Sequence, residues 1–541
     1  MIHKSIFLAA GACAISFLWA QEPDISAQRI RAHVKFLSSD LLEGRGPGTR
    51  GGQLASAYIA TQFALAGLKP AGDQGTYFQQ VPLIGVTTEP AAQLSATKDG
   101  KTTDFHWAND FVGVNERQTP QDQFGAEAIF VGHGIVAPEF RWDDFKGVDV
   151  RGKVLVQFTN EPPSDDTKFF GGRALTYYGR WTYKFEEAAR KGALGSIIIH
   201  TTPTAGYGWE VVRNSWSGEQ SDVKLAPNEY ALAFAGWVTE DAGERLLALG
   251  GHHLAELLKA AESRDFRPIP LGVRIRWNLP SKVREIHTRN VAGLVEGSDP
   301  KLKSEAVIFT AHWDHLGIGT PVNGDAIYNG AVDNATGCGI LMELARAWAE
   351  QPKKPRRSAL FLSVTAEESG LRGSEYYAAH PEIPAGKTAL DINYDGLFPF
   401  GRTRDVVVNG AERTTAWRVV EAVAKRMHLT IEPDPRPEQG TYYRSDHFSF
   451  AHVGTPAFSV EEGTDFIGKP KGFGAKAFDQ YNELHYHRPS DEFQEYWDFS
   501  GLAEMARFGF LIAVDVANEN ALPTWHKGDE FLGAREKSGV R

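Results

Sequence analysis

Residues 305–312 read EAVIFTAH, a short apolar run with β-branched residues that ends in a histidine. The same texture returns in SALFLSVTAEE at 358–368 and in ALDINYD at 389–395, and the helical pattern ILMELARAWAE at 340–350 lies between them. Strands that alternate with helices in this way predict a mostly parallel sheet with helices on both faces. Such sheets bind ligands at the carboxyl ends of their strands. We therefore expect an α/β fold whose functional site lies where these apolar runs end.

A second region of the chain has a different pattern. From about residue 124, short β-rich runs such as AIFVGHGI and GKVLVQF are separated by Pro and Gly. An amphipathic helix is predicted around Tyr183 to Lys191, and the run SIIIH, ending at His200, is typical of a buried strand. This region predicts a small β-rich module with one or two helices.

Length and charge narrow the class of protein. A chain of 541 residues is long for one compact core, so two or three domains are expected. The net charge of −11 comes from 68 acidic and 57 basic residues without a long run of one sign, which argues against nucleic-acid binding.

The first twenty residues predict an export signal, which is a signal peptide at 1–20. An apolar stretch runs from Ile6 to Leu18, and the small Ala20 stands just before the polar Gln21. This stretch is too short to span a membrane, and no other segment supplies a span. The alternative is a lipid anchor at Cys13, which follows small residues. We expect an exported protein, periplasmic or extracellular, with no stable membrane span.

Five residues that can bind metal close the predicted strands or open the loops after them: His312, Asp333, Glu368, Asp395 and His487. Imidazole combined with carboxylate suits zinc, whereas an all-oxygen set would suggest calcium or magnesium. Three carboxylates and two imidazoles are enough for two ions if one carboxylate bridges them. Each residue also has a plain alternative, since Asp333 could cap a helix and Asp395 could form a turn.

The adjacent carboxylates Glu367 and Glu368 end a predicted strand. Two such charges side by side are unfavourable unless a cation stabilises them, although a solvated acidic turn is the alternative. Neighbouring side chains at a strand end point in different directions, so one can bind metal while the other faces the attacking water. Asp314 lies two residues after His312, where a carboxylate can hold the imidazole ring from behind.

The motifs AHWDHLG, GAVDNATG, TAEESGLRGS, INYDG and YHRPSDEF occur in this order. As an ordered set they resemble those of the zinc aminopeptidase and glutamate carboxypeptidase family, the twenty-eighth metallopeptidase family. The β-rich module resembles the protease-associated domain of that family. The resemblance implies a zinc exopeptidase fold, with a catalytic domain at 24–120 and 275–541 and a protease-associated domain inserted at 121–274.

The resemblance also implies roles for the metal-binding residues. Asp333 would bridge two zinc ions, one of them also held by His312 and Asp395, and the other by Glu368 and His487. This set predicts a secreted di-zinc metallopeptidase, acting as an aminopeptidase on peptides or small proteins.

Further residues receive roles from the same resemblance. Glu367 would be the general base, Asp314 the carboxylate behind His312, and Tyr486 a group that stabilises the oxyanion. The segment SDHFSF places Ser445, Asp446 and His447 where they line or buttress the site.

Three alternative functions stay open on the sequence. A glutamate carboxypeptidase would share every ligand, a glutaminyl cyclase would use one zinc, and a non-catalytic binding homologue would have lost ligands. The sequence indicates neither the preferred side chain nor the oligomeric state.

Overall fold

The computed structural model describes residues 24–166, 168–205 and 208–540, and the predicted export signal lies outside them. Among the described residues, no helix combines the length and the apolar composition needed to cross a membrane. The chain folds as a mixed α/β protein with a large, mostly parallel sheet flanked by helices, as the sequence predicts.

The helices found in the described ranges are α1 (Ala27–Leu37), α2 (Arg50–Leu65), α3 (Trp181–Arg190), α4 (Thr202–Ala205), α5 (Trp209–Trp216), α6 (Glu240–Gly250), α7 (Leu254–Ala261), α8 (Thr336–Ala349), α9 (Arg372–Ala379), α10 (Trp417–Met427), α11 (His447–His452), α12 (Phe473–Leu484), α13 (Ser500–Asn518) and α14 (Leu532–Lys537).

The strands in the same part of the chain are β1 (Lys69–Pro70), β2 (Phe78–Thr88), β3 (Gln93–Lys98), β4 (Lys101–Phe105), β5 (Phe111–Val114), β6 (Gln121–Phe130), β7 (Val136–Ala137), β8 (Trp142–Asp143), β9 (Val154–Phe158), β10 (Gly195–Ile199), β11 (Gln220–Val223), β12 (Phe234–Val238), β13 (Ile269–Val295), β14 (Ala306–His312), β15 (Gly317–Val322), β16 (Asp325–Tyr328), β17 (Ser358–Val364), β18 (Thr388–Asn393), β19 (Asp405–Val407), β20 (Thr430–Glu432), β21 (Ala457–Ser459) and β22 (Glu461–Glu462).

The first sheet contains the apolar runs from which the fold was predicted. Strands β21, β18, β14 and β17 lie side by side in that order and are parallel, and β13 pairs with β17 in the antiparallel sense. Every residue of β14, β17 and β18 is buried, because helices cover both faces of the sheet.

Alternate residues of these strands supply two separate cores. Phe309 stacks on Phe361 with 5.2 Å between ring centroids, and both rings pack under Trp348 of α8. On the other face, Ile308 belongs to the core that contains Phe450 of α11. The two-residue period of the strands thus buries apolar side chains on both sides of the sheet.

A second sheet is joined to the first by β13. The N-terminal part of β13 pairs with β3 and β6, whereas its C-terminal part pairs with β2 and β17. From β6 the second sheet continues through the parallel strands β9, β10 and β12 to β5. The helix predicted around Tyr183 is α3, and the predicted strand SIIIH is β10.

The second sheet includes strands that lie before the predicted domain boundary at residue 121. Strands β3, β4 and β5 were placed with the catalytic part by sequence, but β3 pairs with β4 and β13, and β5 pairs with β12. The predicted boundary at residue 121 therefore falls inside the second sheet, because pairing with distant strands determines which sheet a short strand joins.

Candidate metal centre

The five predicted ligands come together at one edge of the first sheet. His312 is the last residue of β14, Glu368 follows β17 by four residues, and Asp395 follows β18 by two. Because these three strands are parallel neighbours, their carboxyl ends meet at the same edge. Asp333 reaches this edge from the segment before α8, and His487 from the segment after α12.

Asp333 is free to face the other ligands because its neighbour caps the helix. Oδ1 of Asn334 accepts a hydrogen bond of 2.9 Å from the backbone N–H of Gly337 in the first turn of α8. Asn334 also donates from its side chain to the carbonyl oxygen of Tyr394, at 2.9 Å. The capping role that Asp333 could have filled is therefore taken by Asn334.

One group of ligand atoms surrounds His312. Its Nε2 lies 3.3 Å from Oδ1 of Asp333 and 3.1 Å from Oδ1 of Asp395. Ligand-type atoms of these three residues all lie within 4.8 Å of one another. Only 1% of the His312 side chain is exposed, so its imidazole depends on these carboxylates for polar contacts.

A second group of ligand atoms surrounds His487. Its Nε2 lies 3.3 Å from Oδ2 of Asp333 and 3.0 Å from Oε2 of Glu368. Asp333 therefore directs one carboxylate oxygen toward each histidine, which is the arrangement of a bridging ligand.

The spacing and chemistry of these six donor atoms fit zinc. Zinc–nitrogen and zinc–oxygen bonds of about 2.0–2.1 Å with tetrahedral geometry separate two ligand atoms by about 3.3 Å. The four contacts made by His312 and His487 span 3.0–3.3 Å. Nitrogen and carboxylate oxygen are also the donor types that zinc prefers.

Burial and the neighbouring histidines shift the pKa values of Asp333 and Glu368 in opposite directions. Burial raises the pKa of Asp333, but hydrogen bonds from His312 and His487 outweigh it and hold that pKa well below its usual range. Burial and Asp333 likewise raise the pKa of Glu368, while His487 and His315 bring it down to about 2. Both carboxylates are therefore anions, the form that binds a cation.

Glu367 belongs to neither of the two groups of ligand atoms described above. Ala366, just before it, has a positive φ of 54°, a conformation that is rare for a residue with a side chain. The backbone N–H of Glu367 donates to Oδ1 of Asp314 at 3.2 Å. Burial raises the pKa of the Glu367 carboxyl well above its usual range; His312 opposes this shift, and nearby carboxylates add to it.

Asp314 contacts His312 differently from the sequence-based expectation. Nδ1 of His312 lies 3.2 Å from the backbone carbonyl oxygen of Asp314, and 3.8 Å from its carboxylate. The carboxylate distance is too long for a hydrogen bond. The carbonyl thus holds the ring, and the carboxylate instead supports the backbone of Glu367.

Tyr486 lies beside the second group at the protein surface. Its ring stacks on that of His487 with 3.9 Å between centroids, and 48% of Tyr486 is exposed. The ring therefore covers one face of the His487 imidazole.

The SDHFSF segment contributes one direct contact. The hydroxyl of Ser445 donates to Oδ2 of Asp395, and Asn393 donates to Ser445 at 2.7 Å. Asp446 is fully buried close to these groups, and burial raises its pKa to about 7. His447 packs against Tyr442 instead, with 4.7 Å between ring centroids.

Three further residues support the site and were not assigned roles by sequence reasoning. His315 lies 2.5 Å from Glu368, measured from Nδ1 to Oε1. Asp491 accepts hydrogen bonds from the backbone N–H groups of Val332 and Asp333. Both residues lie within quoted motifs, AHWDHLG and YHRPSDEF, so their position in those motifs was the available signal.

Arg45 is the third such residue, and its guanidinium is buried behind the site. It donates to the carbonyl oxygens of Trp313 at 2.8 Å, Leu37 at 2.7 Å, Asn329 at 2.6 Å and Gly330 at 2.9 Å. Arg45 therefore ties the loop after His312 to the loop before Asp333. Its sequence context, EGRGPG, indicated only a glycine-rich break.

Comparison with known proteins gives matches in the same part of the chain. Residues 290–510 match the sequence profile of Peptidase family M28. A protein of Aspergillus oryzae named "probable leucine aminopeptidase 2" is 30% identical over 26% of this chain and 24% of its own length. A "Probable zinc metalloprotease" of Pyricularia oryzae is 33% identical over 20% of this chain and 19% of its own length. The chain thus spans about a quarter or less of the curated relatives it matches.

A solved structure is similar over a much larger share of the chain. The aminopeptidase from Aneurinibacillus sp. strain AM-1 aligns with a TM-score of 0.50 and 19% sequence identity, over 92% of this chain and 95% of its own. At this identity the likeness establishes a shared fold.

Proposed function

We propose that this protein is a zinc metallopeptidase that removes N-terminal residues from peptides, and the match of residues 290–510 to the sequence profile of Peptidase family M28 supports this proposal. The observation that carries the proposal is the pair of ligand groups that share Asp333. Each group combines an imidazole with carboxylate oxygens at distances suited to zinc, so we infer two ions per chain.

The residues around the ligands have separate tasks in the proposed reaction. Zinc, when bound, lowers the pKa of water and polarises the scissile carbonyl. Glu367 accepts the proton of the attacking water and delivers it to the leaving amine. Tyr486 would donate a hydrogen bond to the oxyanion, and the stacking of its ring on His487 supports this role.

Negative charge beside the ligands supports action at a free N-terminus. Burial raises the pKa of Glu461 to about 7, Ser459 opposes this shift, and Asp434 and Asp395 raise it further. The carboxyl groups of Glu461, Asp434 and Asp395 thus lie near enough to interact electrostatically. A substrate ammonium group would favour the ionised form of Glu461 and would be stabilised there, whereas a C-terminal carboxylate would gain no such partner.

The experiment is a comparison of substrates together with a metal count. Purified protein should contain two zinc ions per chain and hydrolyse aminoacyl substrates that have a free amino group. The same substrates with an acetylated amino group should be cleaved at least about tenfold more slowly. Dialysis against a chelator should abolish hydrolysis of both kinds of substrate. Cleavage only of acetylated peptides from their C-termini would favour the glutamate carboxypeptidase alternative, and a single zinc ion with cyclase activity would favour the cyclase.

We also propose that the protein is exported after cleavage before Gln21. The support is the apolar stretch in the first twenty residues and the small Ala20 at its end. Mass spectrometry of the exported protein should find Gln21 at the N-terminus. A diacylated Cys13 would show lipid anchoring instead.

The second sheet is proposed to be an inserted protease-associated domain that controls access of substrates. Its predicted histidines, His133 and His200, are buried away from the ligand groups described above. Substitutions on its surface should therefore change KM toward peptides, with small effects on kcat toward small substrates. A loss of zinc on replacing either histidine would contradict this division of tasks.

A further inference from the structure

His315 is a third imidazole beside the ligand groups. Its side chain is fully buried, and Nδ1 lies 2.5 Å from Oε1 of Glu368. The other oxygen of that carboxylate, Oε2, lies 3.0 Å from Nε2 of His487. Glu368 is therefore held between two histidines, with one oxygen directed to each.

The two contacts of Glu368 differ in length, and the difference separates two roles. Ligand atoms on one tetrahedral zinc are about 3.3 Å apart. The distance of 3.0 Å to His487 is close to that value, whereas 2.5 Å to His315 is well below it and lies nearer to the length of a charge-assisted N–H···O hydrogen bond, about 2.7–2.9 Å. His315 thus contacts Glu368 as a hydrogen-bond donor.

The surroundings of the ring agree with that role. Nε2 of His315 is buried and has no hydrogen-bond partner among the described residues. A ring with its hydrogen on Nδ1 satisfies this arrangement, because the hydrogen is donated to Glu368 and the buried Nε2 carries none. A ring with its hydrogen on Nε2 would bury an unpaired donor and place a lone pair against the carboxylate.

The backbone of Gly330 fixes the plane of the ring. Gly330 has a positive φ of 56°, and a Cβ at this position would lie 2.6 Å from Cγ of His315. The ring therefore packs directly on the main chain of the segment that leads to Asp333. This contact leaves it little freedom to turn toward the ion.

We propose that His315 is a positioning residue, which holds Oε1 of Glu368 through its Nδ1–H so that Oε2 faces the same ion as His487. The inference rests on the proposed di-zinc function. It predicts that Glu368 binds through a single oxygen and that His315 sets the affinity of one ion without binding it. Groups that orient a ligand in this way typically change metal affinity by about 10–100-fold.

The test measures the affinity for each ion by competition with a chelator, in the full chain. His315→Leu removes the donor, whereas His315→Asn keeps a side-chain N–H near the position of Nδ1. We expect His315→Leu to bind one ion about 10–100-fold more weakly and the other unchanged. His315→Asn should recover most of that loss. Glu368→Gln identifies the affected ion, and adding His315→Leu to Glu368→Gln should cause no further loss.

Cobalt substitution supplies a readout that does not depend on activity. If His315 only positions Glu368, the visible absorption of the cobalt-loaded His315→Asn variant should match that of the wild-type chain. His133→Leu, at a buried histidine that packs against Phe158 of β9, is the control and should leave both ions in place. Retention of one unchanged ion in His315→Leu also shows that this variant is folded.

Two results would overturn the inference about His315 and leave the proposed di-zinc function intact. Equal affinities in the wild-type chain and His315→Leu would show that the contact has no effect. Equal losses in His315→Leu and His315→Asn, with an altered cobalt spectrum, would show that His315 is a ligand. A wild-type chain that binds only one ion would instead overturn the di-zinc function, and the inference with it.

Discussion

The hydroxyl of Ser445 lies 2.5 Å from Oδ2 of Asp395, while Oδ1 of the same carboxylate faces His312 at 3.1 Å. One oxygen of Asp395 is thus held by the protein, and the other is left for the proposed ion. Ser445 in turn accepts a hydrogen bond from Asn393, the last residue of β18. The strand therefore fixes the orientation of the carboxylate that follows it.

We expect Ser445→Ala to weaken the ion shared by His312 and Asp395 by about 10–100-fold, because Asp395 loses the partner that orients it. The measurement is zinc affinity by chelator competition. Ser449→Ala is a matched control, since Ser449 is also buried but contacts Ser374. Equal losses in the two variants would contradict the specific role of Ser445.

Replacing Glu367 should separate catalysis from metal binding. Glu367→Gln keeps the shape of the side chain but cannot accept a proton, so kcat should fall by at least about 10²–10⁴-fold. Zinc content and folding should be unchanged, because Glu367 is not a proposed ligand. Glu368→Gln should lose affinity for one ion as well as activity. The opposite pattern of zinc loss would mean that the two roles are reversed.

Replacing Asp333 should reduce the bound zinc more than replacing a residue that binds only one ion. Asp333→Ala removes an oxygen from each group, so both ions should be lost on mild dialysis, whereas Asp395→Ala should chiefly weaken one. Zinc per chain after dialysis is the measurement. Loss of a single ion from both variants would argue against a bridging Asp333.

Removing the buried guanidinium of Arg45 should destabilise the fold. Arg45→Met leaves four backbone carbonyls without their donor, and each unsatisfied buried group costs about 1–3 kcal/mol. We expect the free energy of unfolding to fall by about 3 kcal/mol or more, as measured in urea. Arg50→Met is the control, because that side chain is exposed and should change stability by less than about 1 kcal/mol. Similar losses in both variants would show that the buried hydrogen bonds contribute little.

His133 should make stability depend on pH. Burial, with Lys184 nearby, lowers its pKa to about 3 in the folded chain, against about 6.5 when unfolded. Between these values the unfolded chain binds the extra proton, so His133 lowers stability as pH falls below about 6.5, by about 1.4 kcal/mol per pH unit.

The variant His133→Asn retains a side-chain N–H near the carbonyl of Thr159 and removes this titration. Between pH 7 and pH 4.5, the free energy of unfolding should fall by about 2–3 kcal/mol less in the variant than in the wild-type chain. Parallel pH profiles would contradict the prediction.

The parallel sheet could be predicted because its strands carry their own signal. EAVIFTAH is apolar throughout, as a strand buried on both faces must be, and ends in His312. Strands that are parallel neighbours bring the residues after them to one edge. Residue order alone therefore predicted that Asp395 and Glu368 would lie near His312.

Other parts depend on contacts that residue order does not encode. Arg45 bonds only to backbone carbonyls, which are present at every position, so no residue type in the sequence identifies its partners. The role of His315 depends on the direction of its ring, which Gly330 fixes from a different loop. Strands β3 to β5 have the alternation expected of either sheet, and pairing with β12 and β13 decides their membership.

The 27-residue strand β13 also constrains how the chain can be rebuilt. A module connected only by loops can be excised or exchanged between related proteins with the rest of the chain intact. Here a single strand pairs with β6 from Pro280 toward its start and with β2 from Ser281 onward, so excision would cut a backbone on which both sheets depend. Chimeras that retain β13 whole and exchange only the loops of the second sheet should therefore remain foldable, and natural variation is expected to accumulate in those loops.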